Sequence, residues 1–412
     1  MKITFFCMPY YGHINPNLEL IKLLAERKVE VLVFAASKFR KLIEREHVQL
    51  EEYPDEIMHF LTSAASNFQE DSNAAAHYYA YLTDNVIIND RNLVINELSM
   101  RFCELYYEKI QEFSPDIIFC DSQANFVGHI LDKLKKPVIR LNCSTYMPAY
   151  SKSSDFQRFY DEIIRSVCEF QVTYDQVLAI NRKGQSRTRR NKKRNDLSYP
   201  IYHFAYISPL LQREKELLIE DVNYMGMSVT KKLDCEKKNC LYISRGTISD
   251  EYNYSLLYDT LSCMKEIKME KRVSAGGNER IIEKLGHQAE TIYLQFADQL
   301  KELSEAKIFV THGGITGVKE ALFCGTPMIV IPANFPDYQT GLALEENGAG
   351  ILIRKRPISK EQMEHAVKEI LEHYEKYSLG VEKMASEMMV CWKKSGAESI
   401  IEQCYKIIDT KI

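Results

Sequence analysis

The chain lacks several features that would assign a protein to a class at once. No stretch reaches the roughly 18 to 20 uninterrupted apolar residues that a membrane-spanning helix needs. The opening MKITFFCMPYYGHINP has too short an apolar run for a secretion signal, and it leads into Gly12-His13 rather than a small-residue cleavage site. Neither sign of charge dominates: the formal net charge is −4 over 412 residues, which gives no electrostatic footprint for nucleic acid. The eleven cysteines include no C-x-x-C pair. Cys7, Cys120 and Cys324 sit in apolar runs, where a thiol behaves as a small hydrophobe, and that usage fits a reducing compartment. No cluster of His, Cys and Asp stands at metal-ligand spacing along the chain. Together these absences predict a cytoplasmic protein with no stable membrane insertion, no metal requirement and no nucleic-acid partner.

What is present is length and alternation. A chain of 412 residues exceeds one hydrophobic core, so two domains of about 200 residues each are expected. Apolar runs at Lys2–Met8, Val29–Phe34, Asp116–Cys120, Pro137–Leu141 and Tyr202–Ile207 read as strands, the last of them closing the first domain. Helical patterns lie between, at Pro16–Glu26 and about Ala124–Leu134. Strands separated by helices predict parallel, doubly wound sheets, with ligands at the strands' carboxyl ends.

The most informative stretch is Ile308–Gln339. Ile308–Val310 is a buried-strand run, Thr311-His312-Gly313-Gly314 turn the chain, and Thr316–Phe323 reads as a helix. Unpaired first-turn N–H groups, a positive helix end and two glycines make an anion site there, best suited to a diphosphate, with His312 as a donor. Thr316 and Glu320 are four apart and share a helix face, and the carboxylate suits a neutral diol such as a ribose.

These residues resemble the donor motif of the family 1 glycosyltransferases. Thr311, His312, Gly314, Thr316, Gly317 and Glu320 match its T-H-x-G-x-[NT]-[SG]-x-x-E segment, followed by Pro332 and an acidic-x-Gln pair at Asp337 and Gln339. The resemblance implies the α/β GT-B fold, two facing Rossmann-like domains with a cleft between them. It implies transfer of a hexose, glucose first among them, from a nucleoside diphosphate sugar to a hydroxyl of a small natural product. Sites follow position by position. Ser244, Gly246, Thr247, His312, Gly313, Gly314, Thr316 and Gly317 would hold the diphosphate. Phe296, Ala297, Gln299 and Glu320 would hold the nucleoside, and Asp337 and Gln339 the sugar. Asp298 stands where the family usually has Pro, Arg245 where it is often apolar, and one extra residue precedes Asp337.

His13, read alone, is a polar residue beginning a helix or a partly buried histidine. The segment Gly12-His13-Ile14-Asn15-Pro16 is similar to the family's G-H-x-x-P, whose histidine is the general base, and imidazole titrates near neutrality. Asp121 ends the Ile117–Cys120 run. It reads as a helix N-cap or, by the resemblance, as the carboxylate partner of that base. Tyr78, Tyr79 and Tyr146 are candidates to line an acceptor pocket, and equally candidates for core. The run from Arg182 to Arg194 reads as a solvated loop or as an attractor of acidic partners.

The domains are expected at 1–229 (acceptor side), 230–239 (linker) and 240–395 (donor side), with a helix at 396–412 crossing back to the first. The partners are the nucleotide sugar and the acceptor, and the molecule a monomer or weak homodimer. A sugar-nucleotide epimerase and a non-catalytic auxiliary on the same scaffold are the competing readings, and the His13 and Asp121 positions argue against the auxiliary.

Overall fold

The computed structural model describes residues 1–63, 96–146, 152–167, 198–218, 220–227, 235–246, 251–274, 282–283, 286, 288–295 and 297–409. They build two α/β domains, each around a fully parallel sheet. The first sheet contains β1 (Lys2–Phe6), β2 (Glu30–Ala35), β3 (Val48–Glu52), β4 (Ile117–Asp121), β5 (Val138–Asn142), β6 (Ile201–Ala205) and β7 (Val222–Tyr224), in the order β3-β2-β1-β4-β5-β6-β7. The second contains β8 (Lys238–Ser244), β9 (Glu270–Ser274), β10 (Thr291–Leu294), β11 (Ala306–Thr311), β12 (Met328–Val330) and β13 (Gly350–Leu352), in the order β10-β9-β8-β11-β12-β13. The strands are short and apolar because helices cover both faces of such sheets. Phe5 and Phe119, on the neighbouring strands β1 and β4, stack at 4.5 Å within that core.

Several sequence expectations are corrected. The strand near Tyr202 is not the last of its domain, because β7 pairs beyond it; three residues leave too little pattern to read. β8 starts at Lys238, inside the stretch read as linker. The first helix starts at Tyr11, five residues earlier than expected, with Pro16 inside it, so His13 lies in its first turn.

Strand order positions the site. In each sheet the chain direction of winding reverses at one place, between β1 and β4 in the first and between β8 and β11 in the second. Loops leave these strand pairs in opposite directions, which opens a crevice at their carboxyl ends. Gly12-His13 follows β1 and Asp121 ends β4. Ser244 ends β8 and Thr311-His312 ends β11.

The domains touch directly. Residues Phe156, Phe159 and Ile163 of the first domain share one buried cluster with Phe335, Tyr338 and Leu342 of the second, and the Phe156 and Phe335 rings meet edge to face at 5.0 Å. The helix Ala397–Asp409 returns to the first domain and buries Ile400, Ile401 and Cys404 against its core. At roughly 1.5–3 kcal/mol for each buried aliphatic side chain, that face is a substantial clamp.

Candidate active site in the interdomain cleft

His13 and Asp121 meet although 108 residues separate them. His13 Nδ1 lies 2.7 Å from Asp121 Oδ2, with the imidazole 17% and the carboxylate 1% exposed. Asp121 Oδ1 also accepts the Gln123 N–H at 2.8 Å in the turn after β4; the helix Asn125–Val127 that follows starts from Ala124 without a side-chain cap, so the N-cap reading of Asp121 is corrected. The carboxylate is fixed from one side by backbone and fixes the imidazole on the other. With Nδ1 committed, Nε2 is the nitrogen left to take a proton. Asn17 Nδ2 donates to the His13 carbonyl at 2.7 Å and steadies the same turn. Sequence reasoning missed Asn17, although it lies one helical turn beyond His13.

The structure also places Cys143 here: one ligand-type atom from each of His13, Asp121 and Cys143 lies within 4.8 Å of the others. The chain therefore does bring His, Asp and Cys together, against the expectation from spacing, because β1, β4 and β5 end side by side. Both Asp121 oxygens are already engaged, by His13 Nδ1 and by the Gln123 N–H. Burial beside Asp121 also pushes the Cys143 thiol well above its ordinary range, which disfavours the thiolate a metal needs.

The donor half gathers around His312. The glycines that were read as leaving backbone open to a ligand have a further use. A Cβ at Gly314 would fall 2.3 Å from His312 Nε2, and one at Gly246 3.1 Å from Cε1, so both make room for the imidazole. Gly313 has φ +98° and abuts the Asp337 carbonyl, where a side chain would be strained and blocked. The helix Ile315–Phe323 starts at Gly314 with no side-chain cap, so its first amides stay available. His312 Nδ1 has no hydrogen-bond partner. Desolvation, reinforced by the Arg245 charge, pulls this imidazole down to about 3, so it is neutral at pH 7. Arg245 is buried and donates from Nη1 to the Ile331 carbonyl at 3.1 Å. Ser244 is buried, and its hydroxyl accepts the Gly246 N–H at 3.3 Å.

Glu320 and Gln299 face each other and hydrogen-bond, which places two nucleoside candidates at one point, and burial raises the Glu320 carboxyl. Asp298, in place of the family's Pro, caps the helix Gln299–Glu305 by accepting the Lys301 N–H at 3.2 Å. Ala297 packs on the cluster shared by the domains, and Gly317 sits beside Gln299 and Phe309. Thr316 closes the gap to the first domain: a Cβ at Gly12 would lie 3.2 Å from its Oγ1.

The acidic-x-Gln pair separates. Both residues fall in the helix Phe335–Glu346, capped by Asn334, and residues two apart on a helix point in different directions. Asp337 stays by the donor loops, taking the Ala333 N–H at 3.2 Å, and burial lifts its carboxyl to about 7 despite that amide and Arg245. Gln339 turns instead toward the first domain, 3.4 Å from both Asp155 Oδ2 and Glu214 Oε2. Its Oε1 is buried without a hydrogen-bond partner.

Tyr146 is half-buried, with its hydroxyl 3.4 Å from His203 Nδ1 and its amide donating to Gln212, so it belongs to a packed wall. Tyr78, Tyr79, Thr247, Phe296 and the basic run 182–194 lie outside the described residues.

Two Rossmann-like domains facing each other, with these groups at both switch points, define the GT-B class of glycosyltransferase scaffolds. Comparisons agree. Residues 264–404 match the glycosyltransferase family 28 C-terminal domain. Over 96% of its length the chain is 22% identical to 95% of a Bacillus subtilis protein named an uncharacterized UDP-glucosyltransferase, YojK. It is also 22% identical to the NDP-glycosyltransferase YjiC of the same organism, over 95% of this chain and 98% of that one. Among solved structures, the calicheamicin glycosyltransferase CalG4 superposes with a TM-score of 0.65 at 16% identity, covering 99% of this chain and 98% of its own. The fold is the GT-B fold of these structures, and the likeness to the Bacillus glycosyltransferases runs over nearly the whole chain. No helix among the described residues is long and apolar enough to cross a membrane.

Proposed function

We propose that this glycosyltransferase moves a hexose, with glucose as the first choice, from a UDP-sugar to a hydroxyl of a small natural product, with inversion at the anomeric carbon. The observation that carries the reading is the 2.7 Å contact of His13 with Asp121 at the cleft. An alcohol is a poor nucleophile until its proton leaves, and a neutral imidazole with a carboxylate behind it takes that proton as the new bond forms. His13 Nε2 accepts the acceptor's proton, the oxygen attacks the anomeric carbon, and the bond to the diphosphate breaks on the opposite face. The opened amides at Gly314 and the neutral His312 N–H offset the charge growing on the leaving oxygen. Glu320 receives the ribose and Asp337 a sugar hydroxyl, and no divalent metal is required. One relative named a UDP-glucosyltransferase and another named 4'-demethylrebeccamycin synthase support the donor and acceptor classes. The reading places the protein in the cytoplasm as a monomer or weak homodimer.

The test is product formation. Purified protein, UDP-glucose and a mixture of hydroxylated aromatic and macrocyclic acceptors, in EDTA, should yield products one hexosyl unit heavier by mass spectrometry. Products that also form with His13→Ala at the wild-type rate would overturn the mechanism.

A further inference from the structure

The helix Ile315–Phe323 buries a lysine. Lys319 is 1% exposed, in the company of the apolar Val318, Ala321 and Leu322, and its Nζ donates to the Tyr206 carbonyl across the domain boundary at 2.8 Å. The path does not stop there. The Tyr206 hydroxyl donates to Asn17 Oδ1 at 2.7 Å, and Asn17 Nδ2 donates to the His13 carbonyl, also at 2.7 Å. Tyr206 and Asn17 are as buried as Lys319. A helix that holds the donor is thereby joined, through three buried side chains, to the turn that carries the base.

Stability does not explain this lysine. Burying an ammonium against a neutral carbonyl forfeits hydration that one hydrogen bond only partly replaces, and an apolar side chain of similar length would fill the place at less cost. Burial accordingly lowers its proton affinity. What Lys319 adds is direction: a charge-assisted bond with a defined acceptor fixes how the helix sits on the first domain.

We propose that Lys319 is a positioning residue for sugar transfer, which sets the place of His13 relative to the bound donor through Tyr206 and Asn17. The inference rests on the transferase reading above. Displacement of a base by about 1 Å can cost on the order of 100-fold in rate while leaving ground-state binding intact, so the signature is a loss in kcat without a loss of donor affinity.

The experiment compares Lys319→Met, Tyr206→Phe, which deletes only the hydroxyl in the path, and the double variant. Lys319→Met should keep its Tm and bind UDP within about threefold of wild type, yet lose on the order of 10-fold in kcat. Hydrogen–deuterium exchange over Tyr11–Leu20 should quicken in both single variants, and the double variant should be no slower in turnover than the worse single one. The inference is overturned if Lys319→Met leaves kcat and exchange unchanged. It is equally overturned if the two losses multiply, or if UDP affinity falls in step with kcat, which would mark a merely structural role in the donor helix. A wild-type protein that transfers no sugar would sink the transferase reading instead, and exchange would still decide whether Lys319 steadies the His13 turn.

Discussion

The two halves of the cleft differ in how complete they are without a ligand. On the acceptor side His13, Asp121, Gln123 and Asn17 already satisfy one another. On the donor side polar groups are buried without resolution: His312 has an idle Nδ1 and an imidazole held neutral, Asp337 a carboxyl lifted to about 7, and the helix at Gly314 an uncapped end. A general base must be oriented before substrate arrives, so its hydrogen bonds are internal. An anion site must keep donors open for its ligand, so its cost is borne by the empty protein. Perturbed groups in a cleft mark function for this reason, and under the proposed function they fall in the half that would take the donor.

The largest effect should come from the finished half. His13→Ala should lower kcat by roughly 100-fold or more and leave UDP affinity within about twofold, measured by turnover and calorimetry on the same preparation. Asp121→Asn should cost less, about 10-fold or more, because the imidazole remains but its tautomer and charge lose support. Full activity in that variant would reduce Asp121 to its contact with the Gln123 amide.

The donor half should respond in binding. His312→Ala should weaken UDP and UDP-glucose alike, by about 10-fold, and slow transfer as well, since leaving-group charge grows in the transition state. Asp337→Ala should weaken the intact sugar donor and spare UDP. Equal losses for both ligands would place Asp337 outside the sugar site.

Proton linkage gives a sharper contrast. The His312 imidazole binds its proton near 6.5 when unfolded and near 3 when folded, so its contribution to stability rises with pH across that window. Asp337 runs the other way: it releases its proton near 3.8 unfolded and near 7 folded, so its contribution falls as pH rises between the two. Between about pH 4 and 6.5 the two slopes offset each other. Asp337→Asn should therefore make stability climb with pH there, and should stabilise the empty protein at pH 8 by roughly 1–4 kcal/mol. His312→Gln should make stability decline over the same range. Urea unfolding at pH 4.5, 6 and 8 reads both, and curves parallel to wild type would contradict the unfinished state of this half. The smallest effect belongs to Asp298→Ala, which should cost about 1 kcal/mol as a lost N-cap.

Much of this contrast was legible in the sequence. The Gly12-His13 turn, Asp121 and the Thr311–Gly314 turn each follow an apolar run, and strand ends in parallel sheets are where ligands go. Their meeting was not legible, because a sequence separation of 108 carries no pairwise signal. The divergence of Asp337 and Gln339 was not legible either, because acid and amide two apart converge in a loop and diverge in a helix, and Asn334 decides for the helix by capping it. Lys319 was passed over because a lysine on a helix normally faces water. The signal was its place among Val318, Ala321 and Leu322. The cap at Asp298 could have been read, since Asp before Gln299–Glu305 is a standard helix start.

Direct displacement by a hydroxyl activated at His13 is most directly tested by the anomeric configuration of the product. UDP-glucose is α-linked, so wild-type protein should release a β-glucoside, with the large coupling of its anomeric proton visible by NMR, and His13→Ala should release almost none. An α-linked product would require two displacements or a front-face attack, and would contradict His13 as the base of a single inverting step.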